Sequence, residues 1–432
     1  MKKIACYLIV LVSMRCSKAS FSINQFLMSS QIDSSKDKSI RENSSRCDSF
    51  VDRLEQKLKG RREQNLFRKR HTLASRQGST VKIDNHELIN FCSNDYLGLA
   101  NHPEVVSAFK KTADQYGVGS GASSLVCGRC DLHQRLEEKL AEKTGREAAL
   151  LFPSGYMANL AVATTFAGRA DGVFLDRLAH ASLIDAARLS NARLQRYQHV
   201  DPGSLDLVLK KSTSNEKLVL TDAVFSMDGD KAPLKELISV CNVNHAVLVV
   251  DDAHGFGVLG KTGGGLLEEK EISVGDVPIF IATFGKALGT AGAFIAADKT
   301  IIETLIQFAR TYIYTTAQPP ALVGATLASL EVLESELWRR EKLGVLVKRF
   351  CSGASALGLN LLSSETAIQP LMIGGSENAS RISHDLFDEG FLITAIRPPT
   401  VPEGSARLRI TLSATHTEEQ VDRLLETLGS LL

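Results

Sequence analysis

The sequence is poor in several features that mark fibrous, nucleic-acid-binding or membrane proteins. Proline occurs 11 times against 32 glycines, and Lys plus Arg (50) nearly equal Asp plus Glu (49), for a net charge of +1. Few prolines indicate tight turns without proline-rich linkers, and balanced charge gives no overall field toward nucleic acid or a membrane surface. With no internal repeat, the sequence excludes a collagen, a coiled-coil rod and a polytopic membrane protein, and predicts neither a nucleic-acid nor a membrane partner.

Cysteine is too sparse for a disulfide-stabilised scaffold. Eight cysteines are spread over 432 residues, so reduced thiols are expected. The only close pair is Cys127-Gly-Arg-Cys130. A zinc ribbon needs a second such pair, and a thioredoxin-like motif needs a preceding strand where this chain has a Gly/Ser stretch. The sequence therefore predicts no metal site.

Residues 4–14 are the longest apolar run near the start of the chain, and they follow Lys2-Lys3. They are too few to cross a bilayer, which takes about 20 residues. Their length fits a signal-peptide core with Ser17-Lys18-Ala19 as its cleavage site, although Arg15 and Lys18 behind the core argue against export.

Two further interpretations of this leader stay open. No Asp or Glu precedes Asp33, which is typical of an organellar transit peptide, and Met28 is an alternative start. Residues 29–49 are rich in Ser and charge without apolar periodicity, which predicts disorder. We expect a dispensable leader on a cytoplasmic protein, with export or organelle import as the alternative.

The length predicts two or three domains, at about 100–200 residues per domain. Phe50, Leu54, Leu58 and Leu66 are spaced as on an amphipathic helix at the start of the regular part. The expected divisions are a leader (1–47), a helical and linking segment (48–97), a large domain (98–297) and a small C-terminal α+β domain (298–432).

Short apolar runs alternate with helical patterns through the large domain. Several runs are continuously apolar, as strands covered on both faces are, and strand–helix alternation predicts an α/β fold with a mainly parallel sheet. The predicted strands are Ala148–Phe152, Gly172–Leu175, Lys217–Thr221, Ala246–Val250, Ile279–Ala282 and Ala293–Ala296, then Ala367–Ile373, Leu392–Ala395 and Arg407–Thr411. The predicted helices include His102–Tyr116, Leu132–Lys143, Tyr156–Phe166, Leu234–Val243 and Ala321–Leu346.

One glycine-rich stretch matches two nucleotide-binding patterns. Gly255–Thr262 fits both GxxxxGK[ST] and GxGxxG. Both motifs require a helix to begin at the glycines and a strand to lead directly into them. Here Gly263-Gly264-Gly265 follows, and Asp251–His254 separates the glycines from the predicted strand. The stretch is therefore interpreted as a connecting loop.

Polar residues follow four of the predicted strands, at the edge where open α/β sheets bind ligands. Separately, each fits an ordinary role, such as a surface lysine, a solvated acid, a structural histidine or a turn residue. Together they supply free helix amides, an acid, an imidazole and an amine. They are Pro153–Tyr156, Ser226, Asp251 with His254, and Thr283 with Lys286.

This combination suits pyridoxal 5'-phosphate. A lysine binds its aldehyde, a carboxylate keeps the ring nitrogen protonated, and amides and hydroxyls hold the phosphate. Lys286, Asp251 and Gly155-Tyr156 are the candidates for these three tasks.

The same residues lie in motifs that resemble the α-oxoamine synthases, pyridoxal-phosphate-dependent transferases of fold type I, the aspartate-aminotransferase fold. The resemblance runs from about residue 50 to the end of the chain. The matching stretches are Asn90–Leu99, Gly117–Ser124, Pro153–Asn159, Asp176–Ser182, Val224–Asp230, Val250–Gly257 and Thr283–Gly289.

Within that family, the chain is most similar to the branch that condenses L-alanine with a pimeloyl thioester during biotin synthesis. The distinguishing stretch is Thr394–Pro402, followed by Ser405–Ile410. Tyr156 in place of a frequent Phe and the Cys127–Cys130 pair depart from the family pattern. Related acyltransferases that use glycine or serine, and a non-catalytic subunit without the cofactor lysine, are the alternatives.

The resemblance also implies a role for each site residue and a homodimer as the active form. L-alanine and a pimeloyl thioester, carried by coenzyme A or an acyl carrier protein, are the implied substrates. The implied catalytic residues are Lys286, His180 and Asp251; the cofactor contacts are Gly155, Tyr156, His180, Ser226, Asp251, His254, Thr283 and Lys286; the substrate contacts are Arg68, Asn94, His180, Arg397 and Thr400.

Overall fold

The structure is a computed structural model that describes residues 34–432, with side chains from Asp48 onward. The signal-peptide, transit-peptide and alternative-start interpretations concern residues outside this range. The chain divides after Gln64 into two units, and the larger unit, Asn65–Leu432, contains every candidate site residue.

The smaller unit contains one long helix, α1 (Ser34–Glu63). The prediction of disorder over 29–49 is therefore wrong from Ser34 onward. Over the whole helix, Lys, Arg and Glu supply 12 of the 30 residues, and these residue types favour a helix without an apolar stripe. The predicted amphipathic spacing is present in its second half, where Phe50, Leu54 and Leu58 are exposed.

The larger unit alternates strands and helices. The strands are β1 (Thr80–Ile83), β2 (His86–Asn90), β3 (Ala148–Phe152), β4 (Gly172–Asp176), β5 (Arg193–Tyr197), β6 (Lys217–Asp222), β7 (Val247–Asp251), β8 (Ile279–Thr283), β9 (Ala293–Ala297), β10 (Ile368–Gly374), β11 (Phe391–Leu392), β12 (Thr394–Ile396) and β13 (Ala406–Thr411). The helices are α2 (Pro103–Tyr116), α3 (Asp131–Thr144), α4 (Gly155–Phe166), α5 (Ala181–Leu189), α6 (Pro202–Lys211), α7 (Leu234–Val243), α8 (Leu266–Glu269), α9 (Lys299–Phe308), α10 (Arg310–Ile313), α11 (Pro320–Ser335), α12 (Trp338–Ala356), α13 (Ser376–Asp388) and α14 (Glu418–Leu431).

The main sheet has seven strands in the order β3-β9-β8-β7-β6-β4-β5. Strand β9 is antiparallel to both neighbours, and the pairs among β8, β7, β6, β4 and β5 are parallel. Alternate side chains enter two separate apolar clusters, one on each face: Phe174 belongs to one cluster, and Val173 and Leu175 to the other. Helices cover both faces, which is why the central strands are apolar throughout.

Parallel pairing places the carboxyl ends of these strands at one edge of the sheet. The last residues of four strands are polar: Asp176 of β4, Asp222 of β6, Asp251 of β7 and Thr283 of β8. Asp222 and Asp251 are directly paired in register. This edge is where an open α/β sheet binds its ligand.

The C-terminal part contains a second, antiparallel sheet in the order β10-β13-β12, which packs against α13, while α12 and α14 pack against each other. The single helix predicted over Ala321–Leu346 is two helices, because the backbone of Glu336 leaves the helical region (φ −105°, ψ 60°). The strand predicted over Leu392–Ala395 is also divided: β11 pairs with β2, and β12 pairs with β13. Within residues 34–432, no helix is both long and apolar enough to cross a bilayer.

No helix begins at the glycines of the loop 255–262; the next helix, α8, is a single four-residue turn. The amides of Thr262 and Gly264 donate to the carboxylate of Glu268, at 2.9 and 2.7 Å. A phosphate would need those same donors, so the interpretation as a connecting loop is confirmed.

Candidate active site

Lys286 lies in the turn that follows β8, three residues beyond Thr283, and is half-buried. Burial lowers the pKa of its amine to about 8, outweighing the opposite effects of Asp251 and Asp222. An amine with that pKa is deprotonated in a far larger fraction near neutral pH than an ordinary lysine. Lys286 is therefore suited to act as a nucleophile and as a base.

Asp251 is buried at the end of β7, and both of its carboxylate oxygens have donors. The amide of Ala253 donates to Oδ1 at 3.0 Å, and the side-chain amide of Asn159 donates to Oδ2 at 2.7 Å. Asn159 belongs to α4, so the helix and the strand fix the carboxylate together. Its orientation is set before any ligand arrives.

A chain of hydrogen bonds connects Asp251 to His180. The Asn159 side-chain amide also donates to Ser182 Oγ at 2.8 Å, and Ser182 Oγ lies 2.7 Å from His180 Nδ1. The Ser182 backbone amide donates to the same Nδ1, so this nitrogen accepts and the proton is on Nε2. Burial, aided by Lys286, lowers the pKa of His180 against the opposing effect of Asp251. The imidazole is therefore neutral.

His254 is the second neutral imidazole of the site. Burial holds its pKa well below the usual range, and Lys286, Arg409 and His180 add to the effect. Its Nδ1 lies 2.7 Å from the hydroxyl of Tyr96. The Tyr96 hydroxyl also lies 3.2 Å from Asn94 Oδ1, which ties Asn94 to this group.

The start of α4 and the end of β8 form a narrow polar recess. Ser154 caps the helix through its hydroxyl, which accepts from the Met157 amide. Gly155 and Tyr156 lie in the first turn, where backbone N–H groups have no partner within the helix. A Cβ on Gly155 would lie 2.7 Å from the Thr283 methyl group, and the buried Thr283 Oγ1 has no hydrogen-bond partner.

The side chain of Tyr156 does not enter this recess. It is exposed, and its hydroxyl donates to Asp185 on α5. That hydrogen bond is the main reason that the pKa of Tyr156 is raised. Any contact of Tyr156 with a ligand at the helix start therefore comes from its backbone amide.

Two buried arginines of β13, Arg407 and Arg409, face the turn after β6. Arg409 donates to the Ser226 carbonyl at 2.6 Å and to Asn94 Oδ1 at 3.1 Å, and Arg407 pairs with Asp228 at 2.5 Å. The charge of Arg409 contributes to the lowered pKa of both Lys286 and His254. The turn that contains Ser226 is thus held by the C-terminal part of the chain.

Arg397, Arg68 and Thr400 form a separate group. The Arg397 guanidinium donates to the Asn65 carbonyl and to Ser380 Oγ, the latter at 3.0 Å. Burial and then the charge of Arg68 lower the pKa of Arg397. Thr400 is exposed, and its amide donates to the Arg397 carbonyl at 3.1 Å. Within residues 65–432, no hydrogen bond or ion pair joins this group to Lys286.

Residues 86–428 match the family model of aminotransferase class I and II. The chain belongs to that family. An 8-amino-7-oxononanoate synthase from Stutzerimonas stutzeri (strain A1501) is 56% identical over 376 residues, which cover 87% of this chain and 96% of the relative.

Two solved structures of family members show the same fold. The 8-amino-7-oxononanoate synthase of Francisella tularensis superimposes with a TM-score of 0.70 at 33% identity, over 79% of this chain and 97% of that one. A serine palmitoyltransferase from S. paucimobilis, solved with bound pyridoxal phosphate and myriocin, superimposes with a TM-score of 0.84 at 29% identity, over 89% and 97%.

Pyridoxal phosphate is the cofactor of this aminotransferase-family chain, and the residues present fit it. Lys286 supplies a half-buried amine of lowered pKa, and Asp251 supplies an oriented carboxylate. The first turn of α4 and the unpartnered Thr283 Oγ1 supply donors for a phosphate in a recess that a Cβ at Gly155 would fill.

Sequence reasoning gave no role to two residues of this arrangement, Asn159 and Arg409, although both lie within the recognised motifs. A signal for each was present. Asn159 lies four residues after Gly155, on the same face of α4. Arg409 lies at the centre of a strand that is buried throughout, where an arginine requires a partner.

Proposed function

We propose that the chain condenses L-alanine with a pimeloyl thioester to give 8-amino-7-oxononanoate, carbon dioxide and a free thiol, as a step of biotin synthesis. The observation that carries the proposal is the half-buried Lys286, whose pKa is lowered to about 8, beside the oriented carboxylate of Asp251. The 56% identity to an enzyme of that name, over 96% of its length, supports the choice of substrates.

Pyridoxal phosphate supplies an electron sink for the carbanion formed at Cα of alanine. In this proposal, Lys286 would hold the cofactor through its amine, and the same amine would accept the Cα proton of alanine. Asp251 would keep the ring nitrogen protonated. The amides of Gly155 and Tyr156 and the Thr283 hydroxyl would hold the phosphate, and Ser226 and His254 would hold the ring hydroxyl.

His180 is proposed to lie against the cofactor ring and to contact the substrate. Its neutral form, with the proton on Nε2, offers a flat apolar face and one donor directed away from Ser182. A new bond then joins Cα of alanine to the thioester carbonyl carbon, and the thiolate leaves. The alanine carboxylate departs as carbon dioxide, and Cα takes up a proton, which the protonated Lys286 amine can return.

Two arginines are candidates for holding the alanine carboxylate. The resemblance favours Arg397, whereas Arg409 is the buried guanidinium that influences Lys286 electrostatically. A Lys substitution keeps the charge but loses the two-pronged geometry, so it should weaken alanine binding by about 1–3 kcal/mol at the true position. Titrating alanine into Arg397→Lys and Arg409→Lys, followed by cofactor absorbance, assigns the role.

Arg68, Thr400 and Asn94 are proposed as further substrate contacts. Arg68 begins the exposed basic stretch Arg68-Lys69-Arg70. Coenzyme A and an acyl carrier protein both present the acyl group on a phosphate-bearing pantetheine arm, so this stretch suits either carrier. Competition between the two thioesters identifies the one used.

A homodimer is proposed as the active form, on the basis of exposed apolar residues around α10 and the turn Ser124–Gly128, which contact each other. Their exposed fractions are 77% for Val126, 71% for Tyr314 and 50% for Leu125. Clustered exposure of this kind marks an interaction surface.

A cytoplasmic location is also proposed. The cysteines between Asp48 and Leu432 are all free thiols in the structure, as expected in a reducing compartment.

Product analysis tests the function. Purified protein with pyridoxal phosphate should form 8-amino-7-oxononanoate from L-alanine and pimeloyl thioester. Glycine with an acetyl thioester and serine with a palmitoyl thioester, supplied in competition, should be used at least about tenfold less well. Preference for either pair would overturn the assignment while leaving the reaction class intact, and no turnover of any pair would favour a non-catalytic role.

A further inference from the structure

His199 lies between two carboxylates, immediately beyond the sheet edge that forms the site. Its Nδ1 is 2.8 Å from Asp176 Oδ1, and its Nε2 is 2.9 Å from Asp230 Oδ2. The imidazole and the Phe225 ring pack edge to face, with centroids 4.5 Å apart and an interplanar angle of 86°. An imidazole that donates from both nitrogens is a cation, so a single positive charge joins two acids.

Asp176 fixes the loop that leads to His180. Its Oδ1 accepts from the Leu178 amide at 2.8 Å, and its Oδ2 accepts from the Val200 amide at 2.8 Å. The acid is the last residue of β4 and precedes His180 by four positions. Displacement of Asp176 would therefore displace the loop that carries His180.

Asp230 closes the turn that contains Ser226. The Phe225 amide donates to the Asp230 carbonyl at 3.0 Å, and the Gly229 amide donates back to the Phe225 carbonyl at 2.8 Å. The side chain of Asp230 depends on His199, because its buried Oδ1 has no hydrogen-bond partner. Removing the imidazole would leave a half-buried carboxylate without compensation.

The charge on His199 is maintained by these two acids. Burial alone would lower its pKa, but the hydrogen bonds and charges of Asp176 and Asp230 outweigh burial and raise the pKa to about 10. His199 is accordingly a cation throughout the physiological pH range, unlike the neutral His180 and His254.

We propose that His199 is a positioning residue that holds the His180 loop and the Ser226 turn in a fixed relation across the cofactor site. The inference rests on the proposed cofactor contacts of His180 and Ser226. It differs from a purely structural role because the two segments that His199 connects both face the same ligand.

A matched control exists elsewhere in the chain. Arg349 of α12 also joins two acids of α14, Asp422 and Glu418, at 2.6 Å each. These helices contain no candidate site residue. Arg349→Gln removes one cation from between two carboxylates, as His199→Gln does, and should leave cofactor affinity unchanged.

The experiment measures pyridoxal phosphate dissociation from His199→Gln, Asp230→Asn, their double variant and Arg349→Gln, together with each melting temperature. His199→Gln removes both charged hydrogen bonds, and with them the connection between the two segments, and should raise the dissociation constant about tenfold. The double variant should also show about tenfold rather than about a hundredfold, because both changes break the same connection. The cofactor absorbance band should shift in His199→Gln, in Asp230→Asn and in the double variant.

The proposal would be overturned if His199→Gln lowered the melting temperature but left the dissociation constant unchanged. That is the result expected for the control, Arg349→Gln. Additive effects in the double variant would also overturn it, because they would show that the two residues act separately. Should His199→Gln fail to fold, Asp230→Asn carries the test alone, since it keeps the bond between His199 and Asp176. Borohydride labelling of Lys286 in each variant distinguishes failure of this inference from failure of the cofactor site itself.

Discussion

Burial away from water has the largest effect on the pKa of Lys286, which it lowers. The nearby acids Asp251, Asp222 and Asp252 raise this pKa and only partly offset burial. The arrangement differs from a surface salt bridge, in which an acid raises the lysine pKa. Here the charged amine is disfavoured although acids surround it. Burying this amine therefore lowers the free energy of unfolding, and it keeps the amine reactive near neutral pH.

The lowered pKa of Lys286 makes the free energy of unfolding depend on pH. The pKa of Lys286 is about 8 in the folded chain against an ordinary 10.5, so between these pH values the unfolded chain binds a proton that the folded chain lacks. The free energy of unfolding must then rise with pH across that window. Relative to apoprotein with Lys286→Met, the parent apoprotein should gain up to about 3 kcal/mol from pH 8 to 10.5, at about 1.4 kcal/mol per pKa unit.

Urea unfolding of both apoproteins across this pH range measures the difference. Below about pH 8, both states of the parent are protonated, so its deficit against the Met variant should be constant there. A difference that does not change between neutral and alkaline pH would contradict the lowered pKa.

Substitution of Asp251 should impair a different property from substitution of Lys286. Asp251→Asn keeps the shape but removes the charge proposed to keep the ring nitrogen protonated, and its single amide oxygen can accept from only one of the two donors, Asn159 and Ala253. Alanine should still bind, while exchange of its Cα proton in heavy water slows by about two orders of magnitude or more. Exchange at the parent rate would assign the role of Asp251 to another residue. Alanine titration of the absorbance band is the control for binding.

At the scale of elements, the close approach of α4 to β8 defines the recess that we propose holds the phosphate. Gly155→Ala places a methyl group 2.7 Å from the Thr283 methyl, so Thr283 must move and its Oγ1 must turn. We expect pyridoxal phosphate to dissociate about tenfold more readily, at little cost in helix stability. Equilibrium dialysis of the two proteins measures this.

Gly344→Ala in α12 is the matched control, since an added Cβ there meets nothing within 4 Å. It should raise the melting temperature slightly through helix propensity and leave cofactor binding unchanged. Equal cofactor affinity in parent and Gly155→Ala would mean that the recess does not hold the phosphate.

The sequence predicted most of the central elements because burial on both faces leaves a plain apolar pattern. Strands β3, β6 and β7 were located to within a residue at each end. Edge strand β5 was missed because three of the five residues of Arg193–Tyr197 are polar and no apolar run marks it, which suits an edge exposed to water. The break at Glu336 was missed because no Pro or Gly marks it.

Sequence reasoning proposed site residues where the order of the strands brings them to one edge, and it stopped where an arrangement depends on long-range contacts. The strand-end acids and Lys286 follow from the order of motifs. The pairing of His199 with Asp230, or of Arg409 with Ser226, joins residues 31 and 183 positions apart. No local pattern records such contacts, so these residues emerge only from the three-dimensional structure.

At the scale of the whole molecule, the exposed apolar surface around Val126 and Tyr314 is the feature that a single chain does not explain. Val126→Asp should weaken self-association, because a charge buried in an apolar contact costs several kcal/mol. Sedimentation should show a parent dimer and a dissociating variant. Leu357→Asp is the control, because Leu357 is also exposed and belongs to the C-terminal part of the chain. A monomeric parent with full activity would refute the proposed dimer.

We infer that the strand ends assemble a pyridoxal phosphate site around Lys286. The most direct measurement is borohydride reduction of the holoprotein, which fixes the cofactor to the lysine that binds it, followed by peptide mapping. We expect one labelled peptide, with the mass increase on Lys286, and no label in Lys286→Ala. Stoichiometric label on any other lysine, or retention of label in Lys286→Ala, would contradict the account.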